Sequence, residues 1–478
     1  MPYGLKDIEL AKLNEVFAAN ERIERVVLYG SRAKGNYKPF SDVDITLEGD
    51  ELTHTDLSRL SLAIDDLLLP YQFDISIFHT LKNEALIDHI RRMGITIYEK
   101  KSEWKEYKFS DFIEINPSVK IPKGIPVSFV EMKDLDSSVR YCESSQKKEL
   151  AGGSRFIDGD TLFARITPCM ENGKICQVRN LENGIGFGST EFHILRGKEG
   201  VSDSDFVYYL SRWDEVRDHA EHNMEGSSGR QRVPKQAFDN LYLCLPPLNT
   251  QRRIASILSS LDDKIDLLHR ENATLEQMAE TLFRQWFVVE AKEEWEEGKL
   301  GDICNYVTEK IDIGNVETGD YISTENMCSN KQGVVQASSV PGNGKATKYR
   351  IDDVLLSNIR PYFKKILLAD REGGCSADVL CIRSKNELYA FFSYYTIRQD
   401  EFFDYVMLGS KGCKMPRGDK SHIMNWPIII PPKDELLNFN EIAKQGITKI
   451  RNNNKQIQTL IQTRDGLLPK LMSNEIKI

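Results

Sequence analysis

Between Leu258 and Trp286 the residues Leu258, Leu261, Ile265, Leu268, Asn272, Leu275, Ala279, Leu282 and Trp286 fall alternately three and four apart on an otherwise polar, charged segment. That spacing lays one narrow seam, apolar except at Asn272, along a helix. Pro246 and Pro247 stop the strand-like LYLCL before it, so a helix is predicted over 248–289, with Asn249 or Thr250 as its cap. About 40 residues at roughly 1.5 Å each make a rod of about 60 Å, too long for one compact domain. A rod with one seam needs a partner. After Pro431 and Pro432, the stripe Ala443, Ile447, Ile450, Asn454, Ile457, Ile461, Arg464, Leu468, Leu471 repeats the alternation with two polar interruptions. The plainer alternative is two unrelated amphipathic helices, each packed on its own domain. Asn272 and Asn454 are candidates for fixing register, against the plainer reading of a seam that faces water there.

The segments before the two helices also match. Trp104 to Asp111 (WKEYKFSD) answers Trp295 to Asp302 (WEEGKLGD), 191 residues later. Asp160 and Pro168 answer Asp353 and Pro361 at an offset of 193, and Gly226-Ser227 answers Gly409-Ser410 at 183. Pro246-Pro247 answers Pro431-Pro432, and Leu282–Trp286 answers Leu467–Leu471, both at 185. A near-constant offset marks a duplicated unit, each copy a β-rich module followed by a long helix. The second helix must run back toward the first module, so the helices are expected antiparallel and the modules related by a pseudo-two-fold. The expected fold class is α+β multidomain: an N-terminal α/β domain at 1–100, β-rich modules at 103–247 and 291–432, and a long antiparallel two-helix coiled coil from 248–290 and 433–478.

Two such modules match the local two-fold symmetry of a DNA duplex, and a stiff spacer would fix the half-site distance. Gly/Pro-rich segments carry the candidate DNA contacts. In the first module these are Arg165, Thr167, Asn172, Lys174, Ser189, Thr190, Arg230 and Arg232. In the second they are Asn358, Arg360, Lys364, Lys365, Lys411, Lys414 and Arg417. Arg and Asn can pair with purine edges, while Lys mostly meets phosphate. Singly, each is as well explained as a solvated loop charge; as clusters in both copies they favour DNA.

Residues 1–100 follow a different pattern. A helix over 5–19 precedes the strand Arg25–Tyr29, then Gly30-Ser31-Arg32-Ala33-Lys34-Gly35, then Asp42-Val43-Asp44 heading the strand DVDITL. A helix around 54–69 leads to FDISIF with Asp74. A Gly-Ser turn lets amides and a hydroxyl approach a triphosphate. Asp42 and Asp44 project from one face and can hold Mg²⁺ on nucleotide phosphates. Asp74 can complete a metal position and take a proton from an attacking hydroxyl. Gly30, Ser31 and Arg32 are thus candidate nucleotide-binding residues, and Asp42, Asp44 and Asp74 candidate catalytic and metal-binding ones. An isolated DxD or Gly-Ser means little; the ordered set within 50 residues is far more specific.

Composition adds exclusions. The net charge is −9, with 12 Lys+Arg against 17 Asp+Glu in residues 1–100, so DNA contact must rely on local basic patches. No apolar run nears the ~18–20 residues of a membrane span, and MPYGLKDIEL lacks a signal peptide's core. Nine cysteines without a CxxC pair suggest reduced thiols in a cytoplasm, and His219 and His222 stand without the neighbours a metal site needs. The expected location is cytoplasmic, with no membrane partner.

The stretch GSRAKG…SDVDI resembles the minimal nucleotidyltransferases of the polymerase-β superfamily, in the form found in bacterial toxin–antitoxin and defence systems. The resemblance covers the first hundred residues and implies a site using Mg²⁺ and a nucleoside triphosphate, with ATP expected. Residues 104–478 resemble the specificity subunits of type I restriction-modification enzymes, in FARITPCMENGKI, GFGSTEF, PPLNTQRRIASILSSLDDKIDLL, LEQMAETLFRQWF and RDGLLPKLMS. That resemblance implies two target-recognition domains reading a bipartite double-stranded DNA site. It also implies helices that bind two methyltransferase subunits, which supply S-adenosylmethionine, and motor-nuclease subunits for cleavage. The second copy departs in having LLNFNEIAKQ where the first has QRRIA. The competing reading makes the chain primarily a nucleotidyltransferase, moving AMP to protein or RNA, with the rest as a targeting platform. A further reading makes residues 1–100 a decayed passenger, against which stand all three carboxylates.

Overall fold

The computed structural model describes residues 2–38, 40–49, 52–100, 104–122, 124–227, 229–412, 414–476 and 478. The charged stretch 99–103 (EKKSE), which reads in the sequence as a short joint after the first hundred residues, lies in part outside these residues. The chain divides into two compact units, Met1–Lys105 and Glu106–Ile478.

In the first unit, β1 (Arg25–Leu28), β2 (Val43–Glu48), β3 (Phe73–Ile77) and β4 (Ile95–Glu99) form one sheet in the order β3-β2-β1-β4. β1 runs antiparallel to β2 and β4, whereas β2 and β3 are parallel. The helices Asp7–Ala18 and His54–Asp65 bury Leu13, Phe17, Leu60 and Ile64 on one sheet face, against Val26, Leu28, Val43, Ile45 and Leu47. Thr53 and Asp56 close a capping box that starts the second of these helices. The opposite face, at Val27 and Tyr29, takes Ile90 of the helix Glu84–Met93.

The second unit is a duplication at the level of strand order. Its first module has a sheet ordered Ile113–Ile115, Phe192–Gly197, Thr161–Ala164, Ile175–Val178, Tyr141–Cys142. The second repeats it as Cys304–Tyr306, Val379–Ser384, Val354–Ser357, Ile366–Leu368. A second sheet runs Ser154–Ile157, Ile185–Gly188, Val127–Val130 in one copy and Lys345–Tyr349, Gly373–Cys375, Tyr321–Ile322 in the other; the fourth strand joins opposite edges. Each module contains the same arginine fork on a buried aspartate. Arg196 grips Asp160 at 2.6 and 2.7 Å, and Arg383 grips Asp353 at 2.7 Å through both nitrogens. In each, the Asp also accepts a backbone N–H at 2.8 Å, from Ile157 or Arg350, which turns the chain into the next strand. The paired residues Asp160 and Asp353 are the landmarks of the sequence repeat; their arginine partners carried no signal of their own.

The central helix spans Leu248–Arg284 and widens into a π-helical turn over Gln285–Val289; the C-terminal helix spans Lys433–Met472. Their contacts pair rising numbers with falling ones. Asp262 meets Arg464, Asn272 meets Asn453 and Asn454, and Phe283 meets Phe439. Asn454 accepts from Asn272 at 2.8 Å, while the buried Asn453 donates to Asn272 at 2.8 Å and to Glu271 at 2.9 Å.

Two details correct the sequence reading. The central helix begins at Leu248 behind Pro247 with no side-chain cap, because Asn249 and Thr250 already lie inside its first turn. Gln251 anchors that turn instead: it is fully buried, accepts from the Asp203 amide at 2.9 Å and donates to Val201 and Pro246 carbonyls at 2.9 Å. Its counterpart 185 residues later is Leu436, also buried, so the second helix starts on an apolar contact. The seam also drifts: Asp262, Phe283 and Phe287 are buried while Leu261, Leu282 and Trp286 are only partly so. The helix serves two neighbours at once. Near its start it packs on Ser204–Arg212, where Tyr209 donates to Asp262 at 2.6 Å, and near its end it enters the aromatic core of the second module.

Candidate functional site

The first unit assembles its carboxylates at the end of β1 and the starts of β2 and β3. Asp44 and Asp74 are direct partners in the parallel β2–β3 register, and exposed Asp42 immediately precedes β2. Tyr29 donates its backbone N–H to the Asp44 carbonyl at 2.9 Å, which brings the following Gly30-Ser31 turn over the carboxylate. Gly30 has φ +71, and a Cβ there would lie 2.0 Å from Asp44 Oδ2. Only glycine allows both the left-handed turn and this approach. Burial, then the charges of Asp74 and Asp42, lift the Asp44 carboxyl above its ordinary range, with Arg32 opposing. Burial likewise pushes the Tyr29 hydroxyl up.

Arg32 is turned away from the role expected of it. Its side chain is buried, donating to the carbonyls of Ser41 (3.1 and 2.7 Å), Asp42 (3.1 Å) and Tyr3 (3.0 Å), with Tyr71 stacked at 4.9 Å. It holds the loop that carries Asp42 rather than offering its fork to a phosphate. Among the described residues no group of three or more His, Cys, Asp or Glu side chains is placed to hold a metal ion by itself. Asp42, Asp44 and Asp74 are the carboxylates that would hold a Mg²⁺ drawing its remaining oxygens from phosphate and water. Two acidic groups crowding a half-buried carboxylate, beneath the glycine of a turn, would suit a cation with a polyphosphate.

The two modules present matching loop clusters. Isolated backbone bridges link Ile166 to Arg232 and Glu225 to Arg232 in the first, and Ile359 to Arg417 and Lys411 to Arg417 in the second. Many expected DNA contacts are already engaged. Thr167 is buried and accepts from the Gln231 amide at 3.1 Å, Ser189 accepts from the Glu191 amide at 3.1 Å, and Lys174 reaches the Met132 carbonyl at 2.9 Å. Lys365 reaches Thr324 at 2.6 Å, Lys364 pairs with Asp400 at 3.0 Å, and Lys411 with Asp419 at 2.8 Å. Arg232 pairs with Glu191 at 2.8 Å and Arg417 with Asp378 at 3.1 Å. Asn172, Thr190, Arg230 and Lys414 are exposed; Arg165, Asn358 and Arg360 are half-buried. Glu191 and Asp378 escaped the sequence reading although they occupy equivalent places, 187 residues apart.

His193 supports the first cluster from beneath. It is fully buried; its Nε2 donates to the Val233 carbonyl at 2.8 Å and its Nδ1 accepts from Asn116 at 3.2 Å. Burial pulls its pKa down to about 4, helped by the charges of Arg165 and Lys235. From about pH 6.5 down to about 4 the unfolded chain therefore binds a proton that the folded chain refuses, and stability falls over that window. A loss on the order of 3 kcal/mol is expected. Urea unfolding across this pH range measures it, and the non-titrating His193→Gln should flatten the slope.

No helix among the described residues is long and apolar enough to cross a membrane. The family described as type I restriction modification DNA specificity domain matches residues 101–277 and 292–463. The family described as polymerase beta, nucleotidyltransferase matches residues 11–103. The chain is similar to the type I restriction enzyme EcoAI specificity subunit of Escherichia coli, 30% identical over 195 residues that make up 39% of this chain and 33% of that protein. The match thus spans only a third of that relative's length. It is also similar to the MjaIX specificity subunit of Methanocaldococcus jannaschii, 27% identical over 322 residues, 60% of this chain and 72% of that protein. Among solved structures, the HsdS subunit from Thermoanaerobacter tengcongensis is 18% identical, aligned over 79% of this chain and 99% of that one with a TM-score of 0.32.

Proposed function

From the premise that this chain belongs to the type I restriction-modification DNA specificity family, we propose that each β-rich module reads one half of a bipartite double-stranded DNA site. The observation that carries this reading is the duplication: two modules of one strand order, each with the same bridged loop cluster, are docked on one pair of long helices. The helices act as an antiparallel coiled-coil spacer and as the surface for two methyltransferase subunits, which bring S-adenosylmethionine. Motor-nuclease subunits join them for cleavage. With a net charge of −9, recognition depends on the local cations of the loop clusters. Expressing the full chain with its methyltransferase and sequencing the modified bases tests this. The expected result is a two-part motif with a fixed gap; methylation of all sequences alike would end the proposal.

The first unit serves as a nucleotidyltransferase. Asp42 and Asp44, with Asp74, hold Mg²⁺, and the bound ion supplies charge neutralisation at the triphosphate of ATP. The amides and hydroxyl of Gly30 and Ser31 cradle the phosphates. Asp74 accepts the proton of an acceptor hydroxyl as that oxygen bonds to the α-phosphorus and pyrophosphate leaves. Incubation of the assembled complex with labelled ATP and Mg²⁺ should move label to a protein or RNA acceptor. Asp42→Ala and Asp44→Ala should abolish the transfer, and label that persists in both would rule out this site.

A further inference from the structure

Most cations in the two loop clusters have hydrogen-bonded protein partners; Arg165, which feels Glu191 only as a nearby charge, and Arg360 do not. Both are half-buried, both have Nε sealed from solvent, and neither guanidinium finds a hydrogen-bond acceptor among the described residues. A fork sealed at Nε cannot swing freely, so its plane is fixed while its outer nitrogens stay unused. The two arginines occupy equivalent loops. Arg165 is the first residue after Thr161–Ala164, and Arg360 the third after Val354–Ser357, the corresponding strand of the second module.

Both loops are braced in the same way. The backbone bridges Ile166–Arg232 and Ile359–Arg417 tie each to a neighbouring segment, and Glu191 and Asp378 hold the bridging arginines. Arg360 also takes a left-handed φ of 50, a strained conformation for a non-glycine residue that surrounding contacts must impose. A planar, oriented fork with free outer donors matches the two acceptors, O6 and N7, on the major-groove edge of guanine.

We infer that Arg165 and Arg360 are base-reading side chains, one in each module, each directed at a guanine, and that the Arg232–Glu191 and Arg417–Asp378 pairs brace their loops. The inference rests on the DNA-specificity reading above. It distinguishes these two residues from the engaged cations nearby, which meet phosphate or only other protein groups.

The test uses the full chain expressed with its methyltransferase, with methylated positions sequenced for wild type and for Arg165→Ala, Arg165→Lys, Arg360→Ala and Arg360→Lys. Each substitution should relax the motif at one G·C pair of one half-site, with discrimination there falling roughly 5- to 150-fold. The other half-site should be unchanged. The lysine variants keep the charge and lose the fork, so they should relax the same pair. An unchanged motif, a uniform fall in methylation at every site, or loss of all methylation in both variants of one arginine overturns the inference. A wild-type motif without two halves would instead sink the reading on which it rests.

Discussion

Asp262→Ala or Arg464→Ala is expected to lower stability by about 3–5 kcal/mol, because Arg464→Ala leaves a buried carboxylate without its counter-charge and Asp262→Ala leaves the buried guanidinium only the half-exposed Asp465, at 2.8 Å. Arg464 donates to Asp262 at 2.6 Å, and both side chains are almost wholly buried, at 3% and 1% exposure. Tyr209 donates to the other carboxylate oxygen at 2.6 Å, so Asp262→Ala also orphans a buried hydroxyl. The molecule contains its own control. Carried through the 185-residue repeat, Asp262 corresponds to Ile447 and Arg464 to Ala279, and these two lie in one apolar cluster. The double variant Asp262→Ile/Arg464→Ala copies that arrangement and should recover most of what either single change loses. Urea unfolding, with hydrogen exchange followed along both helices, measures the series. Single variants within about 1 kcal/mol of wild type would mean that water reaches the pair.

Gly30→Ala should lower nucleotide transfer by on the order of 100-fold or more while the first unit stays folded. An alanine at φ +71 costs about 1–2 kcal/mol of backbone strain. The larger effect is steric, since the new Cβ would sit 2.0 Å from Asp44 Oδ2 and 2.9 Å from its Cγ. The carboxylate must move, and displacing a catalytic group by about 1 Å is enough for a loss of that size. Gly35→Ala separates the two causes: its φ is +74, but no atom lies within 4 Å of the added carbon. It should show the strain in thermal unfolding and keep its transfer activity. Equal activity in the two variants would show that Asp44 tolerates displacement.

Much of this was legible in the sequence because local chemistry imposed it. The Gly-Ser turn, the alternating DVDITL and the paired prolines before each long helix follow from backbone sterics and period, and each lies where expected. What remained hidden was non-local. Arg32 looks like a phosphate ligand until the carbonyls of Tyr3, Ser41 and Asp42 are seen around it. Likewise, the loop cations look alike in sequence, and only the fold brings Glu191, Asp378, Asp400 and Asp419 beside some of them. Strict counting by threes and fours placed Asn454 in the seam, but the buried residue is Asn453. An α-helix drifts against a seven-residue repeat, and these helices must also fit the modules they carry.

The polar contacts between the long helices have a consequence for incomplete chains. Through the same repeat, Asn272 corresponds to Ile457 and Asn453 to Leu268, so polar pairs in one place answer apolar pairs in the other. Two copies of the first half, module and central helix, would set Asp262 against Ala279 and Asn272 against Leu268. Two copies of the second would set Arg464 against Ile447 and Asn453 against Ile457. Either like pairing takes a buried charge from its buried partner, leaving Asp262 with no cation or Arg464 with Asp465 alone, at a cost of several kcal/mol. Unlike halves alone pair Asp262 with Arg464 and Asn272 with Asn453, so a fragment bearing one half will select the complementary fragment over its own kind.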